Sequence, residues 1–180
     1  MKKIIVLTLL VISQITSAQK YFTRTGATEF KASVAAFEPV EAINKSTTVI
    51  LKSDTGDIAA QLFINAFQFR VALMQEHFNE NYMDSDTYPK ATFRGKIQDF
   101  SLANIDSEKK YPLKGMLTIR GKQKEINTTV SIQLKDDTII LKSEFKLNPN
   151  DFGIKIPSIV RKKIAKQINI TLHYEMVEKK

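Results

Sequence analysis

Apolar and polar side chains alternate along most of the second half of the chain. In YPLKGMLTIRG at 111–121, Leu113, Leu117 and Ile119 share one face with Gly115, and mainly polar side chains occupy the other. A period of two is typical of a β-strand with one buried face. The alternation recurs in three later segments, with inward positions at Ile126, Thr128, Val130, Ile132 and Leu134, at Ile139, Leu141, Phe145 and Leu147, and at Ile168, Ile170, Leu172 and Tyr174.

Four further strands are predicted in the first half, near 28–35, 42–53, 57–68 and 90–101. Short polar turns, such as KDD at 135–137, join successive strands, so neighbouring strands should be antiparallel. An open sheet with this many strands would expose two edges to other chains, whereas closure removes both. We therefore expect one mainly β domain, an eight-stranded antiparallel barrel.

Two segments interrupt the alternation. Between 69 and 83, one side of a predicted helix carries residues spaced by four, namely Phe69, Leu73 and His77 together with Met74, Phe78 and Tyr82. Between 149 and 165, Pro149, Gly153 and Pro157 break the strand pattern and predict a short helical turn around SIVRKKI. We expect the helix and the turn to cover the barrel or its mouth.

The N terminus indicates export. Lys2 and Lys3 precede the apolar run IIVLTLLVI, and small residues end at Ala18, which is the pattern of a cleaved signal peptide over residues 1–18. We therefore expect a periplasmic or secreted protein whose domain spans 19–180. No later run is apolar enough to span a bilayer. The absence of Cys excludes disulfides, thiolate nucleophiles and Cys-ligated metals.

The chain is basic, with a formal net charge of +8 that falls by two if Lys2 and Lys3 are removed. Its densest basic run, RKKIAK at 161–166, lacks the interleaved aromatic residues on which nucleic-acid bases stack. We therefore expect no nucleic-acid partner. The run is interpreted as a solvated face, with transient contact to anionic lipid head groups at a membrane surface as the alternative.

Residues with catalytic or metal-binding chemistry are sparse. His77 and Glu80 lie three apart on the predicted helix and Asp84 follows, but a zinc site needs three or four convergent ligands, so a solvated helix end is the simpler interpretation. His173 alternates onto the face opposite the inferred core. We predict no catalytic residue, no metal and no required cofactor. The alternative, a small metal-assisted hydrolase or isomerase acting on a lipidic substrate, needs His77, Glu80 or Asp84 to face the cavity.

Aromatic side chains dominate what remains, with eleven Phe and no Trp. Many of these Phe fall where strands meet helices, and in a barrel such a set indicates a lined cavity. The hydroxyls of Tyr82 and Tyr88 are candidates to meet a polar head group. An apolar face formed by Ile58, Leu62 and Ile64 is a candidate surface for a homodimer if the helix does not cover it. The predicted ligand contacts are Phe63, Phe67, Phe69, Leu73, Met74, Phe78, Tyr82, Phe93, Ile97, Leu117 and Phe152.

Three motifs carry a family resemblance. YPKATFRG at 88–95, GMLTIRGKQKEI at 115–126 and DFGI at 151–154 occur in the order and spacing of the YceI-like family, which the chain resembles from about residue 20 to 177. The stretch LMQEHFNENYMDSDTYP resembles the form seen in members from the Bacteroidetes lineage. The resemblance implies an exported, lipocalin-like barrel that holds a polyisoprenoid lipid or an isoprenoid quinone in an elongated cavity.

The expected function is therefore non-catalytic binding of an apolar isoprenoid ligand, for transport, storage or sequestration, with a link to envelope stress. A bound polyisoprenoid or quinone would be cargo rather than a cofactor. A ligand-free interaction module is the third alternative, and it would require a barrel interior filled with side chains.

Overall fold

The computed structural model describes residues 19–34, 38–105 and 107–179, and the expected leader at 1–18 with its cleavage position lies outside them. A short helix, α1 (Ala72–His77), continues as a π-helical turn at Phe78–Met83, and 3-10 turns lie at Ile64–Ala66, Leu102–Asn104 and Pro149–Phe152. The strands are β1 (Lys20–Ser33), β2 (Glu41–Lys52), β3 (Asp57–Phe63), β4 (Gln68–Phe69), β5 (Lys90–Ile97), β6 (Lys109–Ile119), β7 (Lys122–Lys135), β8 (Thr138–Leu147) and β9 (Ile164–Glu178).

Eight of these strands close into an antiparallel barrel, as predicted. The sheet runs β1-β9-β8-β7-β6-β5-β3-β2, and β1 also pairs with β2. The first and last strands of the sheet are therefore hydrogen-bonded to each other, which closes the barrel. The short strand β4 is an addition to the prediction, and it pairs with the first residues of β2 through Ala42 and Ile43. The closed antiparallel barrel with one covering helix is consistent with a lipocalin-like fold.

Strand β1 begins at Lys20, well before the predicted start near residue 28. Tyr21 and Thr23 point inward, but the next inward residue is Gly26, because the pairing register shifts between Thr23 and Thr28. Such a bulge moves the alternation by one residue. The first half of this strand therefore has no continuous period-two pattern.

The predicted strand at 57–68 is wrong beyond Phe63, where β3 ends and the chain turns. Buried Asn44 of β2 stabilises this departure, since its Nδ2 donates a 2.9 Å hydrogen bond to the carbonyl oxygen of Phe63. Its Oδ1 in turn accepts from the backbone N–H of Ser46 at 2.8 Å. An internal amide thus replaces strand pairing, and the chain returns to β2 as β4.

The covering helix begins at Ala72 rather than at the predicted residue 69. Phe69 pairs with Ala42 in β4, and Val71 is still extended with φ −116° and ψ 120°. The helical segment ends where Asp84 adopts a left-handed conformation with φ 48° and ψ 56°. The abrupt change from helix to strand at 77–97 therefore folds a helix over the barrel and returns the chain to it as β5.

The two ends of the barrel differ. At the closed end, which carries the β2–β3, β5–β6 and β7–β8 connections, a cluster of large side chains fills the interior. At the other end, the mouth, the interior is covered by α1, by β4 and by the 148–163 connection. The closed-end cluster includes Val49, Leu51, Ile97, Val130, Ile132, Ile139 and Met176.

The exposed dimer face predicted at Ile58, Leu62 and Ile64 is wrong, because all three side chains are buried and point into the barrel. They are shielded from solvent because they face the barrel interior along β3 and the turn that follows it, and not because the helix covers an outer face. In the part of the chain that the structure describes, no helix is long and apolar enough to cross a membrane.

Candidate functional site

A cavity of about 570 Å³ occupies the mouth half of the barrel above the closed-end cluster. Aliphatic and aromatic side chains supply most of its lining, and they come from the barrel strands, α1 and the 148–163 connection. Ordinary ligand sites measure roughly 300 to 1,000 Å³. The filled interior that a ligand-free module requires is therefore found only at the closed end.

Three hydroxyls form the polar part of the cavity floor. Thr28 Oγ1 lies 2.9 Å from Thr47 Oγ1 and 2.9 Å from the hydroxyl of Tyr174, and all three side chains are buried. Burial raises the pKa of Tyr174 to about 12, although its hydrogen bond to Thr28 opposes the shift. The phenol therefore stays neutral at physiological pH, and the floor presents no charge to an apolar ligand.

The ring of Phe93 lies against the wall over a pair of glycines on neighbouring strands. Gly95 and Gly115 pair directly across β5 and β6. A Cβ atom on either glycine would lie 2.6 or 2.5 Å from Cζ of Phe93, which is closer than van der Waals contact allows. The missing side chains thus leave room for the ring beside the wall and keep the space above it open.

Four phenylalanines attach the helix to the mouth. The ring of Phe78 stacks on Phe30 of β1 at a centroid distance of 5.3 Å, and lies 5.6 Å from Phe67 and 5.1 Å from Phe69. Each such pair contributes about 0.5 to 1.5 kcal/mol beyond area burial. Since Phe78 contacts all three of the other rings, it is the main anchor of the cover.

Nine of the eleven predicted contact residues line the cavity, and the exceptions are Phe63 and Ile97. Their binding role stays a prediction, since this placement concerns position alone. The nine lining residues are Phe67, Phe69, Leu73, Met74, Phe78, Tyr82, Phe93, Leu117 and Phe152.

Phe63 and Ile97 miss the cavity for different reasons. Phe63 follows inward Leu62, so it points out of the barrel, where it is 45% exposed and lies under the ammonium of Lys90 at 5.1 Å. Ile97 does point inward, but four residues along a strand span about 13 Å, which carries it from the level of Phe93 into the closed-end cluster. Neither side chain therefore lines the cavity.

Several lining residues were not among the predicted contacts. Phe30 and Phe145 add aromatic area, and inward aliphatic side chains complete the walls. Period-two alternation identified the inward face of β6 to β9 but not the level of each residue along the barrel axis. The aliphatic wall residues include Ile119, Ile126, Leu147, Ile168, Ile170 and Leu172.

Among the described lining residues, Asp, Glu, His, Lys and Arg side chains appear only at the mouth of the cavity, where Glu38, His77 and Lys163 contribute. Glu80 and Asp84 do not line it. Among the residues that the structure describes, no group of three or more His, Asp or Glu side chains is arranged to hold a metal. Tyr88 also lies outside the lining, with the guanidinium of Arg120 over its ring at 5.9 Å.

Comparison with known proteins gives the cavity a family context. The family model described as the YceI-like domain matches residues 13–176. No curated protein matches the chain.

Similar solved structures extend over most of the barrel. A polyisoprenoid binding domain from Saccharophagus degradans, implicated in plant cell wall breakdown, has a TM-score of 0.75 at 12% identity and covers 89% of this chain and 98% of its own. Burkholderia cenocepacia BcnA has a TM-score of 0.71 at 19% identity and covers 84% and 96%. A Campylobacter jejuni YCEI protein has a TM-score of 0.61 at 17% identity and covers 80% and 87%. At these identities, the likeness concerns the fold.

Proposed function

Since this chain belongs to the YceI-like domain family, we propose that it is an exported, non-catalytic lipid-binding protein whose cavity holds the tail of a polyisoprenoid or an isoprenoid quinone. The observation that carries the proposal is the apolar cavity of about 570 Å³, which is closed below by the filled end of the barrel and reaches solvent at the partly covered mouth, where exposed Leu73 lines it. Such a chamber accepts a long, slender apolar chain from one end.

The size of the cavity supports an occupant. An apolar void costs roughly 24 cal/mol for each Å³. On that scale a dry cavity of about 570 Å³ would cost roughly 14 kcal/mol, which is as much as the whole stability of many domains. Filling the space with hydrocarbon avoids this cost, and it also avoids placing many water molecules against a wall that offers them few hydrogen-bond partners.

A prenyl tail has enough apolar surface to bind. Each methylene-sized group withdrawn from water contributes about 0.8 kcal/mol, so one five-carbon unit contributes about 4 kcal/mol. Association costs roughly 4 to 15 kcal/mol, and ordering of the ligand adds to that. A few units therefore suffice, and a single unit does not, which favours polyprenyl over short terpenoid ligands.

The polarity of the lining supports one orientation. Lys163 and His77 lie at the mouth, and the Tyr82 hydroxyl belongs to the same cover. The floor hydroxyls of Thr28, Thr47 and Tyr174 already bond to one another. The tail therefore enters first, and the polar head group stays at the mouth among groups that are able to donate hydrogen bonds.

The solved relatives support the class of ligand. The Saccharophagus degradans structure is a polyisoprenoid binding domain with the same fold. For this chain, export is proposed from the leader pattern at 1–18. A role in transport, storage or sequestration in the cell envelope, with a link to stress, is part of the same proposal.

The direct test is extraction of the purified protein with organic solvent, followed by mass spectrometry of the extract. A prenyl lipid is expected at up to one per chain. Delipidated protein is then titrated with ubiquinone. At a free concentration of about one hundred times Kd, bound ligand adds about 2.7 kcal/mol, which raises Tm by roughly 5 to 11 °C for a domain of this size.

Two outcomes separate the proposal from its rivals. Repeated extracts free of prenyl lipid, together with an unchanged Tm in the presence of quinone, contradict the carrier. His77→Ala separates binding from lipid-directed catalysis, because His77 is the only imidazole in the described lining. We expect the variant to retain lipid as the parent does, and stoichiometric zinc that disappears with this substitution would instead support the metal-assisted enzyme.

A further inference from the structure

An almost fully exposed isoleucine lies beside the cavity mouth. Ile159, in the connection between the Pro149–Phe152 turn and β9, is 87% exposed. Its neighbour Val160 lines the cavity, as does Ile156 of the same connection. Since the chain here already supplies apolar side chains to the interior, Ile159 is a separate apolar group directed into solvent at the same opening.

The start of the covering helix carries exposed apolar side chains at the same opening. Leu73 is 57% exposed and Val71 is also exposed, yet both contribute to the cavity lining. Single exposed apolar residues are ordinary on protein surfaces, but a group at one site marks an interaction surface. We call Val71, Leu73 and the connection 155–163 the mouth rim.

The mouth rim is strongly basic on one side. The rim contains Lys155, Arg161, Lys162 and Lys163, and Lys166 follows in β9. The stretch 155–166 has no acidic residue. No ion pair among the described residues involves any of these five cations. The mouth end also carries acidic residues, but none lies within 155–166. They are Glu38, Glu41, Glu76, Glu80, Asp84, Asp86 and Asp151, of which Glu41 pairs with Arg70 and Asp151 with Lys124.

The closed end has a different composition. It also exposes lysines and two large apolar side chains, Val177, which is 50% exposed, and Ile50, which is 40% exposed. Its connections, however, interleave basic residues with acids, so no stretch carries only positive charge. These acids are Asp54, Asp57, Asp99, Glu108, Asp136 and Asp137.

We infer that the mouth rim docks on the surface of a bilayer rich in anionic lipids, with Ile159 inserted among the head groups and Arg161 and Lys162 against the phosphates. An exposed apolar side chain next to unpaired cations is complementary to an interface where hydrocarbon lies just below negative charge. In this orientation the cavity opens towards the lipid, so a prenyl chain can pass between membrane and barrel without crossing water.

Docking is expected to be weak and reversible. Surface attraction acts within a Debye length of about 8 Å at physiological ionic strength, so it depends on close approach and declines with salt. One inserted isoleucine adds an apolar anchor of limited depth. Release after delivery or uptake of a ligand is therefore compatible with the same surface.

The experiment measures co-sedimentation with sucrose-loaded vesicles of phosphatidylcholine alone or with about 30% phosphatidylglycerol, neither containing prenyl lipid. Each variant is purified after any cleavage of its N terminus in the cell. Intact-mass measurement then checks that all variants begin at the same residue. The variants are Ile159→Asp and the double reversal Arg161→Glu with Lys162→Glu. The matched controls at the closed end are Val177→Asp and Lys20→Glu with Lys110→Glu, which change exposed residues by the same charge.

The parent protein is expected to bind anionic vesicles at least about tenfold more tightly than neutral ones, with binding lost at high salt. Each rim variant should lose about tenfold or more, and each closed-end control should stay within about twofold. Near-UV circular dichroism and Tm show that every variant is folded. Because the vesicles contain no prenyl lipid, failure of docking and failure of the proposed ligand are read separately.

Three results overturn the inference. One is equal binding to neutral and anionic vesicles. Another is loss of binding in the closed-end controls as large as in the rim variants. The third is a parent dimer that Ile159→Asp converts to a monomer while neither protein binds vesicles, which would assign the rim to a second copy of the chain.

Discussion

A single methyl group at Gly115 should disturb both the stability of the barrel and the shape of its cavity. The added Cβ would lie 2.5 Å from the carbonyl oxygen of Arg94, 2.5 Å from Cζ of Phe93 and 2.6 Å from Cα of Gly95. Ordinary contacts begin near 3.5 Å. Strands β5 and β6 must separate by about 1 Å to relieve the two backbone contacts, and the ring of Phe93 must also move, into the cavity.

Overpacking of this kind costs about 1 to 3 kcal/mol. We therefore expect Gly115→Ala to lower the free energy of unfolding by about 2 kcal/mol, which lowers Tm by roughly 4 to 8 °C at this chain length. Urea unfolding followed by circular dichroism measures the change, and the slope with denaturant should stay constant. Retention of prenyl lipid, measured by extraction, should decrease because the displaced ring narrows the cavity.

A double-mutant cycle with Phe93→Ala separates the two parts of the clash. Removal of the ring relieves its contact with the new methyl group but leaves the contact with the Arg94 carbonyl. The double variant should therefore be more stable than the sum of the single effects, by at least about 0.5 kcal/mol. Additive effects, or a Gly115→Ala variant with unchanged stability and full lipid loading, would show that the ring does not rest on the glycine pair.

Three more predictions follow from placement and burial. Phe78→Ala should cost about 2 to 3 kcal/mol in urea unfolding and speed hydrogen exchange along the covering helix, because Phe78 contacts three other rings; unchanged exchange contradicts its role as anchor. Phe93→Asp should abolish lipid retention while Phe63→Asp, on the outer surface, leaves it intact, and equal retention by the two folded variants would refute this assignment of inside and outside. Tyr174→Phe should cost about 1 kcal/mol at pH 8 through its lost hydrogen bond. Burial raises the folded-state pKa of Tyr174 to about 12, so the phenol ionises at lower pH in the unfolded chain than in the folded protein. The contribution of this group to the free energy of unfolding is therefore fully present below about pH 10 and falls by up to about 1.4 kcal/mol per pH unit between pH 10 and 12. Urea titrations of Tyr174→Phe should lack this part of the decrease.

The faces of the strands could be read from the sequence because alternation is a local property. Val130 and Ile132 point inward for the same reason as Leu141, namely that successive side chains leave opposite faces of a strand. The two-residue turns are local as well. Asp136 and Asp137, and likewise Arg120 and Gly121, adopt left-handed conformations that suit tight antiparallel hairpins.

Local patterns became unreliable where long-range contacts replace strand pairing. The break after Phe63 depends on the buried amide of Asn44, nineteen residues earlier in the chain. The helix begins late because Phe69 pairs with Ala42. Neither contact leaves a signal in the periodicity of residues 57–83, where apolar side chains recur on both sides of the break and of the helix start.

The sequence by itself determined the inward and outward faces of the strands and the presence of a helix between them, because both follow from spacings within a few residues. The number of strands and their short turns then indicated a closed antiparallel barrel. Only the tertiary structure decided how far along the barrel axis each inward side chain lies. Because of their positions along the axis, Phe93 lies in the cavity and Ile97 lies in the filled end, although both face inward. The tertiary structure also brings Thr28 to Tyr174 across 146 residues of chain, since the closure of β1 against β9 sets the register between them.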